Sequence, residues 1–342
     1  MRRIAFVVSF AVLAACAGAA PTPVTKAPDP VPSASAPEPV ASSAAPIESA
    51  APPVASADEP PKEEPAGPTS CPDGMVLVDG DYCTELEAKC LKSTYAKQNK
   101  KTICWKFEEP TKCIGKKEKR RYCIDKFEYP NKKGELPVVM NDFVHAQKIC
   151  ADQGKRMCTE SEWTMACEGP SYKPYPYGYE RDPNKCRGDR DYRHPKKEES
   201  GLLTTHSKNK EKAKKEQARL YDAVASGSQP DCVSDYGVAD MPGNADELAS
   251  SEKMDSPFDN VTTGGPWVEG VRNQCRPKIY THNEGFSYYY LSFRCCSEPD
   301  GKPTDPRSPK QKKRGDKFSP PKLEALTGRR GLPSRRASAR RA

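Results

Sequence analysis

The chain has 342 residues, of which 55 are lysine or arginine and 47 are aspartate or glutamate, giving a net charge of +8. Residues 301–342 hold 14 basic and 3 acidic residues, a net of +11, so residues 1–300 carry 8 − 11 = −3. A basic excess confined to a terminal segment does not indicate a folded nucleic-acid-binding domain. We therefore expect no specific nucleic-acid binding.

The N-terminus has the pattern of a lipoprotein signal. Arg2 and Arg3 precede an uncharged stretch, Ile4–Ala14, that is too short to span a bilayer as a helix. The following Leu13-Ala14-Ala15-Cys16 resembles a lipobox, in which the cysteine is lipidated. This pattern predicts a signal peptide over residues 1–15, lipidation of Cys16 and a location in the cell envelope, in contact with a membrane through the lipid. The alternative is an ordinary signal peptide that contains a cysteine.

Two segments lack the apolar residues of a folded core. Residues 16–70 are predicted to be the lipidated cysteine and a proline- and alanine-rich linker, because residues 17–70 contain 14 prolines. Residues 300–342 are predicted to be a disordered basic tail. That tail is either merely solvated or contacts an anionic surface, such as lipopolysaccharide, phospholipid or nucleic acid. Ala17, directly after Cys16, favours the outer membrane, with the protein facing the periplasm or the cell surface.

The remaining residues, 71–299, are predicted to form one domain braced by disulfides. Setting Cys16 aside leaves 14 of the 15 cysteines, all from Cys71 to Cys296. An even number in an oxidising compartment favours disulfides, and the absence of a Cys-x-x-Cys pair argues against a zinc ribbon or a redox motif. The spacing does not fix the connectivity. Cys295 and Cys296 are adjacent and are expected to have separate partners, because a bridge between neighbours strains the peptide.

The first predicted elements of the domain are extended. Met75–Val78 is predicted to be a short buried strand closed by a turn at Asp79-Gly80, and Tyr122–Tyr129 a second extended piece. Apolar residues at helical spacing predict a helix from Asn141 to Gly154.

Later elements are predicted from capping and composition. A capping box from Thr159 to Glu162 predicts a second helix. The charged stretch His206–Leu220 is expected to be an inserted solvated helix or loop. The partly alternating aromatic run Phe286–Phe293 is expected to be a half-buried strand that packs in the core.

Seven short segments of the domain, from Gly74–Val78 to Ser292–Cys295, resemble in their order the motifs of the formylglycine-generating enzyme, or sulfatase-modifying factor, family. The most specific runs from Gly154 to Trp163, GKRMCTESEW, and resembles the family's G-K-R-L-P-T-E-A-E-W. The others resemble the opening strand, the ID-aromatic-E strand, Y-P-W-G, G-L-Y-D-M-x-G-N, and the pair G-G-S-W and G-F-R-C; they lie at Gly74–Val78, Cys123–Glu128, Tyr175–Gly178, Tyr236–Asn244, Gly264–Trp267 and Ser292–Cys295.

The resemblance implies a loop-rich α+β domain of the C-type-lectin-like, formylglycine-generating-enzyme fold. It also implies that a catalytic member would hold copper(I) with two cysteines shortly after G-G-S-W. This chain has one cysteine there, Cys275, and Glu269 near the place of the other. We therefore expect no copper chemistry. Cys275 is either a reactive thiol or a structural cysteine that pairs toward Cys295. The structural disulfide candidates are Cys150, Cys158, Cys167, Cys275, Cys295 and Cys296.

The family resemblance also implies a calcium site around G-N-x-W-E-W. Here the segment contains Asn244, Asp246 and Glu247, which carry the hard oxygen donors that calcium prefers. The alternative is a polar turn in which Asn244 caps a short helix.

Two functions follow from these patterns. The favoured one is a membrane-anchored, non-catalytic binding or scaffold module for an envelope protein, peptide or glycan. The alternative is a divergent oxidase that acts on a cysteine of an envelope protein, with Cys275 as its thiol.

Overall fold

A computed structural model describes residues 70–97, 100–196 and 209–319. The predicted signal peptide, Cys16, all of the linker before residue 70 and the tail beyond residue 319 lie outside the described residues. In the part that is described, no helix is both long and apolar enough to cross a membrane.

The described residues form short strands and few helices joined by loops, so the expected loop-rich α+β class is confirmed. The strands are β1 (Met75–Cys83), β2 (Leu86–Glu87), β3 (Cys90–Ala96), β4 (Lys101–Phe107), β5 (Lys112–Cys113), β6 (Lys117–Asp125), β7 (Arg156–Met157), β8 (Asp246–Ser250), β9 (Asn260–Thr263), β10 (Lys278–Ile279), β11 (Leu291–Phe293) and β12 (Cys295–Ser297). The helices are α1 (Phe143–Asp152), α2 (Glu160–Glu168), α3 (Lys210–Leu220) and α4 (Pro309–Arg314).

The first sheet has the order β1-β6-β12-β7. β1 contains the predicted strand Met75–Val78, whereas the predicted extended piece Tyr122–Tyr129 is strand only as far as Asp125, where β6 ends. The turn predicted at Asp79-Gly80 is wrong, because β1 continues through it and pairs with β6 along its full length, to Cys83 opposite Lys117. Gly80 serves close packing instead: a Cβ there would lie 2.7 Å from the Tyr236 hydroxyl.

Between β1 and β6 the chain extends outward and returns as two successive pairs of antiparallel strands, which the sequence patterns did not predict. We call residues 84–116 the arm. β2 pairs with β5 near its base, and β3 pairs with β4 toward its tip. Disulfides join Cys83 to Cys113 and Cys90 to Cys104 across it.

A second sheet, β10-β9-β8-β11, lies in the interior. All five residues of β8 are buried, and β11 runs parallel to it with Ser292 opposite Glu247. The aromatic run before β11 is not a strand. The ring of Tyr288 packs against those of Phe286 and Tyr290, and Tyr290 also packs against Trp267. The core packing predicted for this run is confirmed.

Both predicted helices are present. Asp142 caps α1 by accepting a hydrogen bond from the His145 amide, and Gly154, at φ +70°, follows its end. Thr159 and Glu162 form the predicted capping box of α2. The charged segment also forms a helix, α3, whose Leu220 packs with Trp267 and Tyr289 in the interior.

All fourteen cysteines of the domain are bridged. Cys295 and Cys296 have separate partners, as expected, Cys150 and Cys158. Together they link α1 and the start of α2 to β12. The other bridges outside the arm are Cys71–Cys123, Cys167–Cys275 and Cys186–Cys232.

The domain extends past its predicted end at residue 299. Ser308 and Gln311 form a capping box that starts α4. The Arg314 guanidinium then lies 3.0 Å from the Asp259 carboxylate, and the buried Lys310 donates to the Ser256 carbonyl at 2.8 Å. Residues 300–319 of the predicted disordered tail are therefore folded, because their basic side chains find acidic and carbonyl partners on the domain.

Candidate functional site

The loop after β9 lies where the resemblance places the copper cysteines. Gly264 and Gly265 both have positive φ, at +87° and +66°. A Cβ on Gly264 would lie 2.8 Å from the Trp163 ring, and one on Gly265 would lie 3.0 Å from the backbone of Arg272 and Asn273. The glycine pair therefore lets the loop fold back closely on itself.

This folding leaves a cleft of about 260 Å³ in front of the loop. Charged and aromatic side chains from three parts of the chain line it, among them Lys101 of the arm, Glu269, Arg272 and Tyr290. Asn273 holds the loop by donating from Nδ2 to the Pro266 carbonyl at 2.6 Å. Its Oδ1 is buried without a partner in the described structure.

Cys275 is not a thiol in this structure. Its Sγ is bonded to that of Cys167 on α2, and its amide donates to the Pro174 carbonyl at 3.0 Å. The predicted pairing toward Cys295 is therefore wrong, because Cys295 is closed by Cys150 on the other side of the first sheet. Copper(I) prefers thiolate ligands, and these residues offer it none.

The segment expected to bind calcium lies in the interior, where each side chain has a different partner. Asn244 accepts from the Val224 amide and donates to the Val224 carbonyl, at 2.8 and 3.1 Å. The Asp246 carboxylate accepts from Arg272 at 2.6 Å. Asn244 does not cap a helix, since β8 follows it.

Glu247 is the centre of this interior network. Both of its carboxylate oxygens accept from the Arg294 guanidinium at 2.7 Å, and one also accepts from Trp163 Nε1 at 2.9 Å. Arg294 is fully buried and donates further to the carbonyls of Asp125, Lys126 and Ala239.

Asn244, Asp246 and Glu247 therefore do not fit one calcium ion as a set, because their oxygens are directed to separate donors. Among the described residues, no group of three or more His, Cys, Asp or Glu side chains is arranged to hold a metal.

Two further acids lie beside the Glu247–Arg294 pair. Glu128 is fully buried and accepts from the Ala245 amide, Asn244 Nδ2 and Ser226 Oγ, each at 3.2 Å. Burial raises its pKa well above the ordinary range, and the Asp240 and Glu247 carboxylates raise it further.

Asp240 is the second acid. Its Oδ2 accepts from the Gly227 amide at 2.8 Å, whereas its Oδ1 is buried without a partner in the described structure. Burial raises its pKa to about 6. Three carboxyl groups, those of Glu128, Asp240 and Glu247, lie beside one arginine, which can neutralise only one of them. At mildly acidic pH the cluster therefore keeps protons on its carboxyl groups.

Sequence reasoning quoted Glu128, Asp240 and Arg294 within motifs but gave them no role. These segments contain three acids and one arginine and are otherwise expected to be buried. Because buried charges are normally paired, this composition could have predicted a buried ion pair. It did not indicate which acid the arginine meets.

Comparisons with known proteins agree with the fold. Residues 87–299, more than half of the chain, match the family model of the sulfatase-modifying factor enzyme 1-like domain. The comparison with curated proteins found no match.

Solved structures match at low identity. CarF has a TM-score of 0.40 at 12% identity, covering 68% of this chain and 99% of its own. PvdO from Pseudomonas aeruginosa has 0.38 at 13%, covering 65% and 93%. Treponema denticola variable protein 1 has 0.33 at 14%, covering 65% and 99%.

The family model covers all the motifs except Gly74–Val78, which precedes it, and it confirms the formylglycine-generating-enzyme fold predicted from the sequence. This chain belongs to the sulfatase-modifying factor enzyme 1-like family.

Proposed function

We propose that this chain is a membrane-anchored lipoprotein whose sulfatase-modifying-factor domain is a non-catalytic binding or scaffold module of the cell envelope. The observation that carries the proposal is the bond between Cys275 and Cys167, together with Glu269 near the place of the other copper cysteine. An oxidase of this family would need two thiolates at that point, and neither is offered.

The retained cleft supports binding. It keeps about 260 Å³ of space beside a loop fixed by Gly265 and Asn273. Lys101, Glu269 and Arg272 line this space, and Arg272 is held by the Asp246 carboxylate. Disulfides in the surrounding scaffold reduce the entropy lost on binding, because a rigid surface needs little ordering.

Copper(I) competition tests the non-catalytic part. The protein is titrated into a coloured copper(I)–chelator complex under anaerobic conditions. We expect no withdrawal of copper at any protein concentration, and the same result with Cys275→Ser/Cys167→Ser. Withdrawal of one copper per chain that the double variant abolishes would favour the oxidase instead.

Membrane anchoring is tested separately through Cys16. We expect the wild type in the membrane fraction and Cys16→Ser in the soluble fraction, since the several acyl chains of a lipoprotein each contribute roughly 0.8 kcal/mol per buried CH₂. Equal distribution of the two would contradict a lipid anchor. Melting with and without calcium tests the calcium prediction, and an unchanged melting temperature in saturating calcium would contradict it.

A further inference from the structure

The two long strands of the arm have unequal surroundings. The inner strand, β4, is fixed to the domain: the Phe107 amide donates to the Tyr179 carbonyl at 2.9 Å, and the Arg181 amide donates to the Trp105 carbonyl at 2.8 Å. The outer strand, β3, pairs with β4 on one edge, and no strand of the described chain pairs with its other edge.

β3 is exposed along nearly its whole length. Six of its seven residues are exposed, and only Ala96 is buried. Tyr95 is 60% exposed, the largest value among the described large apolar residues, and Leu91 is 53% exposed. In an antiparallel pair, alternate residues direct their N–H and C=O groups away from the partner strand. The free edge therefore offers main-chain donors and acceptors flanked by apolar side chains.

The same region is strongly basic. Residues 89–106 contain six lysines and no acid, a net of +6, although residues 1–300 as a whole carry −3. Lys92, Lys97 and Lys100 are exposed and make no ion pair within the described residues.

Two of the lysines face each other. Lys92 lies opposite Lys106 where the register of the β3–β4 pair shifts, and two like charges so placed repel each other. Lys106 has the Glu180 carboxylate at 3.6 Å, whereas Lys92 has no such partner in the described chain. A carboxylate that came beside β3 would relieve this repulsion.

We propose that the free edge of β3 binds an extended acidic peptide segment of a partner protein by strand addition. Main-chain hydrogen bonds would extend the β3–β4 sheet, and the lysines would neutralise alternate acidic side chains of the added strand. The inference rests on the proposed binding function and names the chemistry of the partner.

The charge also excludes one competing occupant. Edge strands commonly carry lysines because like charges stop two copies from pairing. A second copy of the arm would bring six more lysines to the edge, whereas an acidic strand turns the same charges into attraction. Lys101, the first residue of β4, also lines the cleft together with Glu269 and Arg272, so the arm reaches the cleft.

Backbone methylation of a peptide probe tests strand addition directly. The probe is a seven-residue peptide, the length of β3, that alternates glutamate and threonine. Two further probes carry N-methyl groups along one edge or along the other. We expect the unmethylated peptide to bind the full-length protein, one methylated peptide to bind equally well and the other not to bind, because a strand pairs through only one of its edges.

Charge reversal tests the lysines. Lys92→Glu/Lys97→Glu is expected to weaken binding by about tenfold, or roughly 1.4 kcal/mol. Lys112→Glu/Lys116→Glu makes the same charge change at exposed, unpaired lysines of the arm base and is expected to leave the affinity within about twofold, since at physiological salt charges beyond about 8 Å are largely screened.

Three results would overturn the proposal. The first is no binding of the unmethylated peptide. The second is equal binding of both methylated peptides, which would indicate charge attraction alone. The third is that vesicles containing phosphatidylglycerol, or single-stranded DNA, bind as tightly as the peptide or more tightly, and that Lys92→Glu/Lys97→Glu weakens this binding by the same factor. That result would assign the edge to another polyanion. None of these affects the copper(I) test, so the binding module could stand while this partner fails.

Discussion

The interior around Arg294 and the arm both carry many charges, but they use them in opposite ways. In the interior every charge is buried, and Arg294 is satisfied by Glu247 and three backbone carbonyls. In the arm the lysines are exposed, and several lack a partner in the described chain. Buried charges that are paired specify a fold, whereas exposed like charges are left for a ligand or for solvent. The domain thus separates a structural charge network from a surface that is free to bind.

The largest expected effect comes from breaking the interior pair. Arg294→Met should lower the free energy of unfolding by about 3–5 kcal/mol, because it leaves the buried Glu247 carboxylate without its counter-charge. Lys119→Met is the control, since its pair with Asp79 is exposed and contributes at most about 1 kcal/mol. Denaturant unfolding measures both, and similar losses in the two variants would contradict the contrast.

Disulfide removal should separate the two regions next. Cys158→Ala/Cys296→Ala opens a loop of 138 residues through the interior and should destabilise the whole domain by about 2–5 kcal/mol. Cys90→Ala/Cys104→Ala opens only 14 residues within the arm and should loosen β3 and β4 locally. Hydrogen exchange distinguishes the outcomes. Faster exchange throughout the domain in the arm variant would show that the regions are not independent.

The pH dependence of stability tests the interior acids. The pKa of Asp240 is raised to about 6, so its protonated form contributes stability that is complete below about pH 4 and is lost as the pH rises through 6. Asp240→Asn stays neutral, so its stability relative to the wild type should increase by about 2 kcal/mol between pH 4 and pH 7.

Asp305→Asn is the matched control with the opposite sign. Arg307 lowers the pKa of Asp305 to about 2, so that side chain stabilises the fold above about pH 4 and loses its contribution as the pH falls toward 2. Chemical unfolding across the pH range measures both variants. A constant difference between Asp240→Asn and the wild type would mean that Asp240 is ionised throughout.

The smallest expected effect is at a helix cap. Thr159→Ala removes the acceptor for the Glu162 amide and should cost about 1 kcal/mol, whereas Thr159→Ser keeps the hydroxyl and should cost much less. Burial alone would raise the pKa of Glu162, but Arg156 beside it holds that pKa below its ordinary value. The carboxylate thus stays available for the capping box. Equal melting temperatures for the two variants would contradict a stabilising cap.

The sequence predicted the interior better than the arm, and the reason is physical. Motifs such as GKRMCTESEW place a cap and a helix in fixed local order, so Thr159 and Glu162 were assigned correctly. The pairing of Cys167 with Cys275 spans 108 residues and depends on the tertiary fold, which spacing cannot give.

The arm was missed for two reasons. Asp79-Gly80 has the composition of a turn, but packing against Tyr236 decides its conformation. The net charge of residues 1–300 is −3, and this negative total conceals the six lysines of residues 89–106. Composition alone also does not reveal that Arg314, in the segment predicted to be a tail, meets Asp259.

The number of free thiols shows most directly whether Cys275 is bridged, as the non-catalytic proposal requires. The intact mass of the mature protein is measured in denaturant, before and after alkylation, without reductant. The account predicts no added alkyl group, and fourteen after reduction, because all the domain cysteines from Cys71 to Cys296 are bridged. Alkylation of Cys275 without reduction would contradict this prediction and would favour the alternative, a divergent oxidase with Cys275 as its thiol.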